Sequence, residues 1–257
     1  MWGEAVVSAL PSVLAPFGEL ADLAHGARGL RAAVHAPRSA DLVAVPWPDI
    51  PRREATSTVP VLLVHGYLGS PTVWTPLVEQ LHDAGFSNVF ALRYNTLTSA
   101  IPDIAAQLER AAYEAMGRTG EDGVHVVGHS LGGLVTRYAV QCLGLAARAR
   151  GVVTIATPHR GSAFAYAALG AAGPQMRPGA ELLATLPPLR SSGGVEWLVV
   201  DAAHDVVAPR TPHDGVRGAV IPSWGHQAIL RQPAVARVVT DHLRDVECHP
   251  AGARCAG

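Results

Sequence analysis

Lysine is absent from the 257 residues, so all 20 residues counted as lysine or arginine are arginines. A chemistry that depends on a lysine amine, such as Schiff-base formation or phosphate binding by a loop lysine, is therefore excluded. Only 16% of the residues are charged, and the formal net charge is -1. Because there is neither a basic stripe nor an acidic tail, we expect no nucleic-acid partner.

Cysteine is scarce, with three residues and neither a Cys-x-x-Cys pair nor a zinc-type spacing. Cys142 falls in an apolar run of helical periodicity, which predicts a small buried side chain. Cys248 and Cys255 could close a short disulfide loop in the C-terminal tail, which would favour an oxidising compartment. Two free thiols are the alternative interpretation of that pair.

Long apolar runs are also missing, because no run approaches the roughly 20 residues that cross a bilayer. The chain opens Met-Trp-Gly-Glu without basic residues, and Pro11 and Pro16 interrupt its first apolar stretch. We therefore expect no secretion signal and no transmembrane segment here. The compartment stays open, since a cytoplasmic protein and a secreted one already freed of its signal both fit these residues.

From residue 60 onward, short apolar runs alternate with segments of helical periodicity. Continuous apolar strands separated by helices are typical of an α/β fold with a mostly parallel sheet covered on both faces. In such sheets, functional residues follow the carboxyl ends of the strands. Strands are predicted at 61–64, 89–92, 124–127, 151–156, 195–200 and 219–221, and helices at 71–84, 100–117, 131–147 and 233–246.

The length and the 49% hydrophobic content suit one domain with one large core. Residues 1–36 have helical periodicity, and the proline-rich stretch 37–59 predicts an extended segment. We therefore expect residues 1–59 to form a helical and extended segment packed on the core. Residues 60–247 would then form the main α/β domain, and 248–257 a tail.

Gly-His-Ser-Leu-Gly at 128–132 lies between a predicted strand and a predicted helix, the context that Gly-x-Ser-x-Gly requires. A serine on such a sharp turn projects its hydroxyl away from the sheet. Side chains two positions before or after it would collide with the neighbouring strand and helix. The pattern predicts Ser130 as a nucleophile; the alternative is a glycine-rich turn that happens to precede a helix.

A serine hydroxyl needs a base that removes its proton and an acid that orients the base, in the order serine, acid, histidine. Asp201 and Asp205 both follow the strand predicted at 195–200, and we favour Asp205 because it lies further into the loop. Asp201 would be a loop-starting residue that binds backbone amides. His226, in the loop before the last helix, is the predicted base, and His249 is a distant alternative.

His-Gly-Tyr-Leu-Gly at 65–69 follows the first strand of the predicted α/β domain. Its glycines allow the backbone to turn back over the nucleophile. The backbone N–H groups of Tyr67 and Leu131 are therefore the predicted donors to an oxyanion. For His65 we predict a structural role, hydrogen bonding within this loop.

These motifs, with Thr-Pro-His-Arg-Gly-Ser at 157–162 and Asp-Val-Val-Ala-Pro at 205–209, resemble bacterial lipases and esterases of the α/β-hydrolase superfamily. Triacylglycerol lipases are among them, and the resemblance covers about residues 60–230. It implies a carboxylic ester hydrolase acting through an acyl-enzyme. It also implies a sheet that lacks the first strands of the family. The residues it assigns are Ser130, Asp205 and His226 as the triad, and Tyr67 and Leu131 as oxyanion donors.

Residues 162–192 stand where lids insert in such enzymes, and their apolar composition predicts a small acyl-binding cap. Trp74, Phe164 and Val207 are candidate lining residues. Some lipases bind calcium or zinc near the acid loop, but the local acidic and histidine residues match no strong metal motif. We therefore expect no metal and no cofactor. The residues considered as ligands are Asp201, His204, His213 and Asp214.

Two other functions share much of this pattern. A thioesterase or an acyltransferase would use the same three side chains. A non-catalytic binding protein on a hydrolase scaffold usually lacks one of them, whereas all three candidates are present here. We expect a monomer that acts on a small-molecule ester or lipid and meets a lipid interface at most transiently.

Overall fold

The computed structural model describes residues 41–44, 55–190 and 195–248. The strands in these ranges are β1 (Asp41–Ala44), β2 (Val61–Val64), β3 (Val89–Arg93), β4 (Val124–His129), β5 (Ala149–Ile155), β6 (Glu196–His204) and β7 (Arg217–Trp224). They form a seven-stranded sheet in the order β1-β3-β2-β4-β5-β6-β7. Every neighbouring pair is parallel except β1 with β3. The predicted mostly parallel sheet is confirmed.

Helices cover both faces of the sheet. In the described ranges they are α1 (Thr75–Asp83), α2 (Ile101–Thr119), α3 (Leu131–Cys142), α4 (Glu181–Thr185) and α5 (Pro233–Cys248). One apolar cluster joins the sheet to α2 and α3, and a second joins its other face to α1 and α5. None of these helices is both long and apolar enough to span a bilayer.

Strand β2, in the interior of the sheet, shows why the strands are apolar on both sides. All four of its side chains are fully buried. Two of them belong to the first cluster and two to the second, because successive side chains point to opposite faces. Each buried aliphatic side chain contributes roughly 1.5–3 kcal/mol of hydrophobic stabilisation. The strand therefore anchors the loop that follows it.

Helix α2 follows its predicted periodicity. The residues predicted to face the core, such as Ile104 and Leu108, are fully buried. Gly120 ends the helix with a φ of +75°, a conformation that glycine adopts without a side-chain clash. The helix runs to Thr119, two residues beyond its predicted end.

Helix α3 is shorter than predicted. It ends at Cys142, and Gly144 turns the chain with a φ of +94° before a short 3-10 helix, Leu145–Ala147. The prediction that Cys142 is a buried core residue is wrong, because its side chain is exposed at the last helical position. The helix was predicted too long because the apolar periodicity of the sequence continues to residue 147. Gly144 separates the last of these residues from the helix.

Strands β6 and β7 are longer than predicted. They stay paired in parallel as far as His204 opposite Trp224. Asp201 therefore lies inside β6, and the prediction that it starts the loop is wrong. The additional residues are part of the strands because each strand pairs with the other. The apolar run of a single segment does not show where such pairing ends.

At the opposite edge, β1 pairs antiparallel with β3 within the stretch predicted only as extended. The sequence analysis assigned no strand there. The helix predicted over 1–36 and any pairing of Cys248 with Cys255 lie outside the described residues. The domain boundaries at 59 and 247 stay a prediction.

Candidate active site

Ser130 is the single residue between the end of β4 and the start of α3. Its φ of 55° and ψ of -123° are a backbone conformation that costs an L residue roughly 1–3 kcal/mol. Two backbone hydrogen bonds hold it there. The Ser130 N–H donates to the Ile155 carbonyl at 2.9 Å, and the Gly133 N–H donates to the Ser130 carbonyl at 3.0 Å.

The flanking glycines are required by contact, as the sequence predicted. A Cβ atom on Gly128 would lie 2.6 Å from the Gly132 carbonyl oxygen. A Cβ atom on Gly132 would lie 2.1 Å from the carbonyl oxygen of Val64 in β2. Only glycine therefore lets α3 start this close to β4 and β2.

The structure brings three of the predicted residues into one hydrogen-bonded series. The Ser130 Oγ and His226 Nε2 atoms are 2.7 Å apart, and His226 Nδ1 is 2.8 Å from Asp205 Oδ2. A neutral imidazole carries a proton on one ring nitrogen only. When Nδ1 carries it and donates to the Asp205 carboxylate, Nε2 accepts a hydrogen bond from the Ser130 hydroxyl. The three residues follow the carboxyl ends of strands β4, β6 and β7. Because these strands are parallel, their carboxyl ends lie on the same side of the sheet.

Asp205 is fixed from its other side by the chain that follows it. Its Oδ1 atom accepts hydrogen bonds from the N–H groups of Val207 and Ala208, both at 2.9 Å. Burial would raise the pKa of this carboxyl. The hydrogen bond and charge of His226, together with the two N–H groups, nevertheless hold its pKa below the ordinary value. Asp205 is therefore ionised at neutral pH.

Asp201, the alternative acid, occupies a different environment. Its side chain is buried within β6, whereas the two ring nitrogens of His226 lie within hydrogen-bond distance of Asp205 and Ser130. Burial raises its pKa to about 6; Arg210 opposes this rise and Asp205 adds to it. His249, the alternative base, lies outside the described residues.

The loop at 65–69 lies directly against the serine. A Cβ atom on Gly66 would be 2.9 Å from the Ser130 Cβ atom. The loop is closed by the Gly69 N–H on the Gly66 carbonyl at 3.0 Å, and the Leu68 N–H donates to Thr96 Oγ1 at 3.1 Å. Tyr67 therefore follows directly on the residue that lies against Ser130.

Leu131 directly follows the serine as the first residue of α3. An N–H group in this position has no acceptor within its own helix. The positive end of the helix dipole lies at the same point. The role of Tyr67 and Leu131 as oxyanion donors stays a prediction.

His65 has the structural contacts predicted for it. Its Nδ1 atom is 2.9 Å from the Gly66 carbonyl oxygen, and its ring stacks on Tyr94 at 4.0 Å between centroids. The Tyr94 hydroxyl donates to the His65 carbonyl. Burial lowers the pKa of His65 to about 4, so the ring is neutral at physiological pH. The expected role within the loop is confirmed.

Of the predicted cap at 162–192, the structure describes residues 162–190, called the cap below. They contain two short 3-10 helices and α4. Ala165, Ala172 and Met176 are buried in the same apolar cluster as Leu131. Of the three candidate lining residues, Phe164 is 56% exposed, Val207 is half-buried and Trp74 is fully buried. Trp74 packs edge-on against His129 and is a core residue rather than a lining one.

The sequence analysis did not identify His129 as part of the site. Its Nε2 atom lies 3.1 Å from the His226 carbonyl oxygen, and the two rings are 4.9 Å apart. His129 therefore supports the loop that carries His226. Its place beside Ser130 in the Gly-x-Ser-x-Gly motif was the only sequence feature that could have indicated this.

The four residues considered as metal ligands do not assemble. In the part of the chain that the structure describes, no group of three or more histidine, cysteine, aspartate or glutamate residues is arranged to hold a metal ion. His204 stacks on Trp224 at 3.8 Å, and His213 packs edge-on against His159 at 4.6 Å.

Comparison with known proteins supplies an independent line of observation. A family model described as the alpha/beta hydrolase family matches residues 61–252. The chain is 31% identical over 119 residues to a triacylglycerol lipase of Pseudarthrobacter phenanthrenivorans, covering 43% of this chain and 36% of that protein. A triacylglycerol lipase of Burkholderia plantarii is also 31% identical over 119 residues, with coverages of 43% and 32%. The match thus spans about a third of the length of these relatives.

Solved structures share the fold at low sequence identity. The mature lipase BlEst2 of Bacillus licheniformis superposes with a TM-score of 0.59 at 15% identity, covering 80% of this chain and 98% of that one. Phospholipase PlaB of Legionella pneumophila gives 0.60 at 16% identity, with coverages of 74% and 61%. A thermophilic esterase of Thermogutta terrifontis gives 0.53 at 17% identity, with coverages of 81% and 93%. At such identities the likeness concerns the fold alone.

Proposed function

Because this chain belongs to the alpha/beta hydrolase family, we propose that it hydrolyses carboxylic esters with Ser130 as its nucleophile. The observation that carries the proposal is the series from Ser130 through His226 to Asp205, joined at 2.7 and 2.8 Å. A hydroxyl within hydrogen-bond reach of a base, and a base oriented by an acid, are what nucleophilic catalysis requires.

In the first half of the reaction, His226 Nε2 takes the hydroxyl proton while Ser130 Oγ attacks the ester carbonyl carbon. The carbonyl electron pair moves onto oxygen, and the N–H groups of Tyr67 and Leu131 donate hydrogen bonds to this oxyanion. When the tetrahedral intermediate collapses, the bond to the alcohol oxygen breaks. His226 returns its proton to that oxygen, leaving an acyl group on Ser130.

In the second half, water takes the place of the alcohol. His226 removes a proton from the attacking water, whose oxygen bonds to the acyl carbon. When this second tetrahedral intermediate collapses, the bond from the acyl carbon to Ser130 Oγ breaks, His226 returns its proton to Oγ, and the carboxylic acid is released. Asp205 keeps the imidazole in the required tautomer and stabilises its cation in both halves. It can do so at neutral pH, since its pKa lies below the ordinary value.

For the substrate we propose acyl esters. Both curated relatives are named triacylglycerol lipases, and their match to this chain is confined to 119 residues. The cap supplies exposed apolar side chains, Phe164 and Leu169 among them. Leu169 also contacts Tyr67 of the loop at 65–69. Such a surface suits an apolar acyl chain better than a charged or sugar substrate.

Active-site labelling tests the proposal directly. We expect a fluorophosphonate probe to add to Ser130, located by mass spectrometry, and p-nitrophenyl esters to be hydrolysed. Ser130→Ala and His226→Ala are each expected to lower kcat by at least about three orders of magnitude. Turnover that survives in both variants, or an adduct on a different residue, would contradict the assignment.

A competition experiment separates the related activities. The wild-type protein would be offered an oxygen ester and a thioester of the same acyl chain, with and without an added alcohol. We expect the oxygen ester to be preferred and water to be the acceptor. Preference for the thioester would identify a thioesterase, and formation of a new ester would identify an acyltransferase.

A further inference from the structure

The side chain of Tyr67 has no part in the reaction described above, yet it joins the cap to the loop at 65–69. Its hydroxyl donates to the Leu169 carbonyl at 2.8 Å and accepts from the Leu169 N–H at 2.8 Å. One phenol thus binds both backbone groups of a single cap residue. The ring itself packs against the apolar cluster that contains Leu131.

The next two cap residues are held by a second loop. The Ala171 N–H donates to the Leu97 carbonyl at 3.0 Å. Gly170 has a φ of +81°, and a Cβ atom there would lie 2.4 Å from the Leu97 carbonyl oxygen. The cap at 169–171 is therefore fixed in place between Tyr67 and the loop after β3.

The same two loops are joined to each other beneath the cap. The Leu68 N–H donates to Thr96 Oγ1, one residue before Leu97. Gly66, on the other side of Tyr67, lies against Ser130. The contact with the serine and the contact with the cap are thus made by consecutive residues, Gly66 and Tyr67.

We propose that Tyr67 is a positioning residue whose phenol couples the place of the cap to the orientation of its own backbone N–H at the oxyanion. This inference rests on the proposed function, because it concerns the donor that stabilises the intermediate. Leu169 is 68% exposed, so water can replace the phenol when the cap moves away. Burial raises the pKa of the phenol and the Leu169 contact opposes the rise, so the hydroxyl keeps its proton at neutral pH.

Tyr67→Phe is the decisive variant, because it keeps the ring and removes only the oxygen. We expect faster amide hydrogen exchange over residues 163–176. We also expect kcat for a short p-nitrophenyl ester to fall about threefold to tenfold, the change that loss of one or two ordinary hydrogen bonds produces. KM should stay within about twofold, since the ground-state ester carries no oxyanion.

An alkylboronic acid supplies a readout that a merely structural role would not change. Its tetrahedral adduct with Ser130 places an oxygen where the oxyanion forms. We expect the affinity of Tyr67→Phe for the boronic acid to fall by the same factor as kcat. Tyr166→Phe is the matched control, since it removes an exposed phenol from the same cap. It should leave exchange, kcat and boronate affinity unchanged.

Each other outcome overturns the inference. Exchange over 163–176 that equals the wild-type rate would mean that the phenol does not hold the cap. Faster exchange with unchanged kcat and boronate affinity would mean that the cap does not orient the Tyr67 N–H. If the wild-type protein neither binds the boronic acid nor hydrolyses the ester, the proposed function itself fails and the coupling falls with it. Failure of the coupling alone is recognised by an active wild-type protein, and failure of the proposed function by an inactive one.

Discussion

Ser130 occupies a strained backbone conformation, and its surroundings explain how the strain is maintained. Glycines on both sides remove every Cβ that would force the turn open, and hydrogen bonds to and from Ser130 close it. Asp205 is likewise held by its neighbours, because its carboxylate accepts hydrogen bonds from His226 and from two backbone N–H groups. The residues proposed to react are therefore held in place before any substrate binds.

The choice between the two aspartates is the sharpest test at this scale. We expect Asp205→Asn to lower kcat by about three to four orders of magnitude, because an amide does not stabilise the imidazolium or select its tautomer. Asp201→Asn should keep kcat within about tenfold, since it is Asp205 that lies within hydrogen-bond distance of His226 Nδ1. Steady-state kinetics on a p-nitrophenyl ester would measure both. If kcat fell by orders of magnitude in Asp201→Asn and stayed near the wild-type value in Asp205→Asn, the assignment of the acid would be reversed.

At the scale of elements, the site depends on how closely a helix and two strands approach. Strand β4, Ser130 and α3 follow one another without an intervening loop. Strand β2 runs parallel to β4 and delivers the loop at 65–69 against the serine. The glycine at 132 lies at the point where the three elements meet.

Gly132→Ala should therefore destabilise the fold and also reduce turnover. Its Cβ atom would lie 2.1 Å from backbone, so α3 must shift from β2, at a cost of about 1–3 kcal/mol or more. Gly117→Ala, on the exposed face of α2 with nothing within 4 Å, is the control. It should stabilise the protein by about 0.5–1 kcal/mol, because alanine is the better helix former. Urea unfolding and ester kinetics would measure both; equal effects would refute the packing argument.

For the whole molecule, the parallel sheet gathers functional groups from distant parts of the chain. Ser130 and His226 are 96 residues apart, and Asp205 lies in a third segment. The sheet also buries a carboxyl that the proposed mechanism does not use, that of Asp201. An ionisable group in such a place makes the stability of the entire fold depend on pH.

The pKa of Asp201 sets the sign of that dependence. Its folded-state pKa is about 6, against an ordinary value of 3.8. Between these values the unfolded chain releases a proton that the folded chain retains, so the free energy of unfolding falls as pH rises through this window. Asp201→Asn removes that loss. The difference in free energy of unfolding between Asp201→Asn and wild type should therefore change by roughly 2 kcal/mol, in favour of the variant, between pH 4 and pH 7.

Urea unfolding at pH 4, 5.5 and 7 would measure the difference between the two proteins. Asp241→Asn, on an exposed position of α5, controls for the loss of one negative charge. A difference between Asp201→Asn and wild type that stays constant with pH would mean that Asp201 ionises as easily in the folded protein as in the unfolded one. The aspartate and arginine facing it, Asp205 and Arg210, are unchanged in this comparison.

The sequence by itself determined the features that depend on local sterics and periodicity. The strand-serine-helix turn follows from glycine spacing, and the mostly parallel sheet follows from alternating apolar runs and helices. Helix α2 and strand β2 lie where their patterns predicted, because burial on one face or on both leaves a period in the residues themselves. The five residues assigned to the site were named from their places after the predicted strands and from the resemblance to lipases and esterases.

Only the tertiary structure decided the features that depend on a distant partner. Strand β6 takes in Asp201 because β7 pairs with it that far, and β1 exists as a strand because β3 offers an edge. Cys142, within an apolar run, is exposed at the last position of α3. The contacts of Tyr67 with Leu169 join residues 102 positions apart. Such contacts leave no period in the sequence, since they arise only once the sheet has brought the loops together.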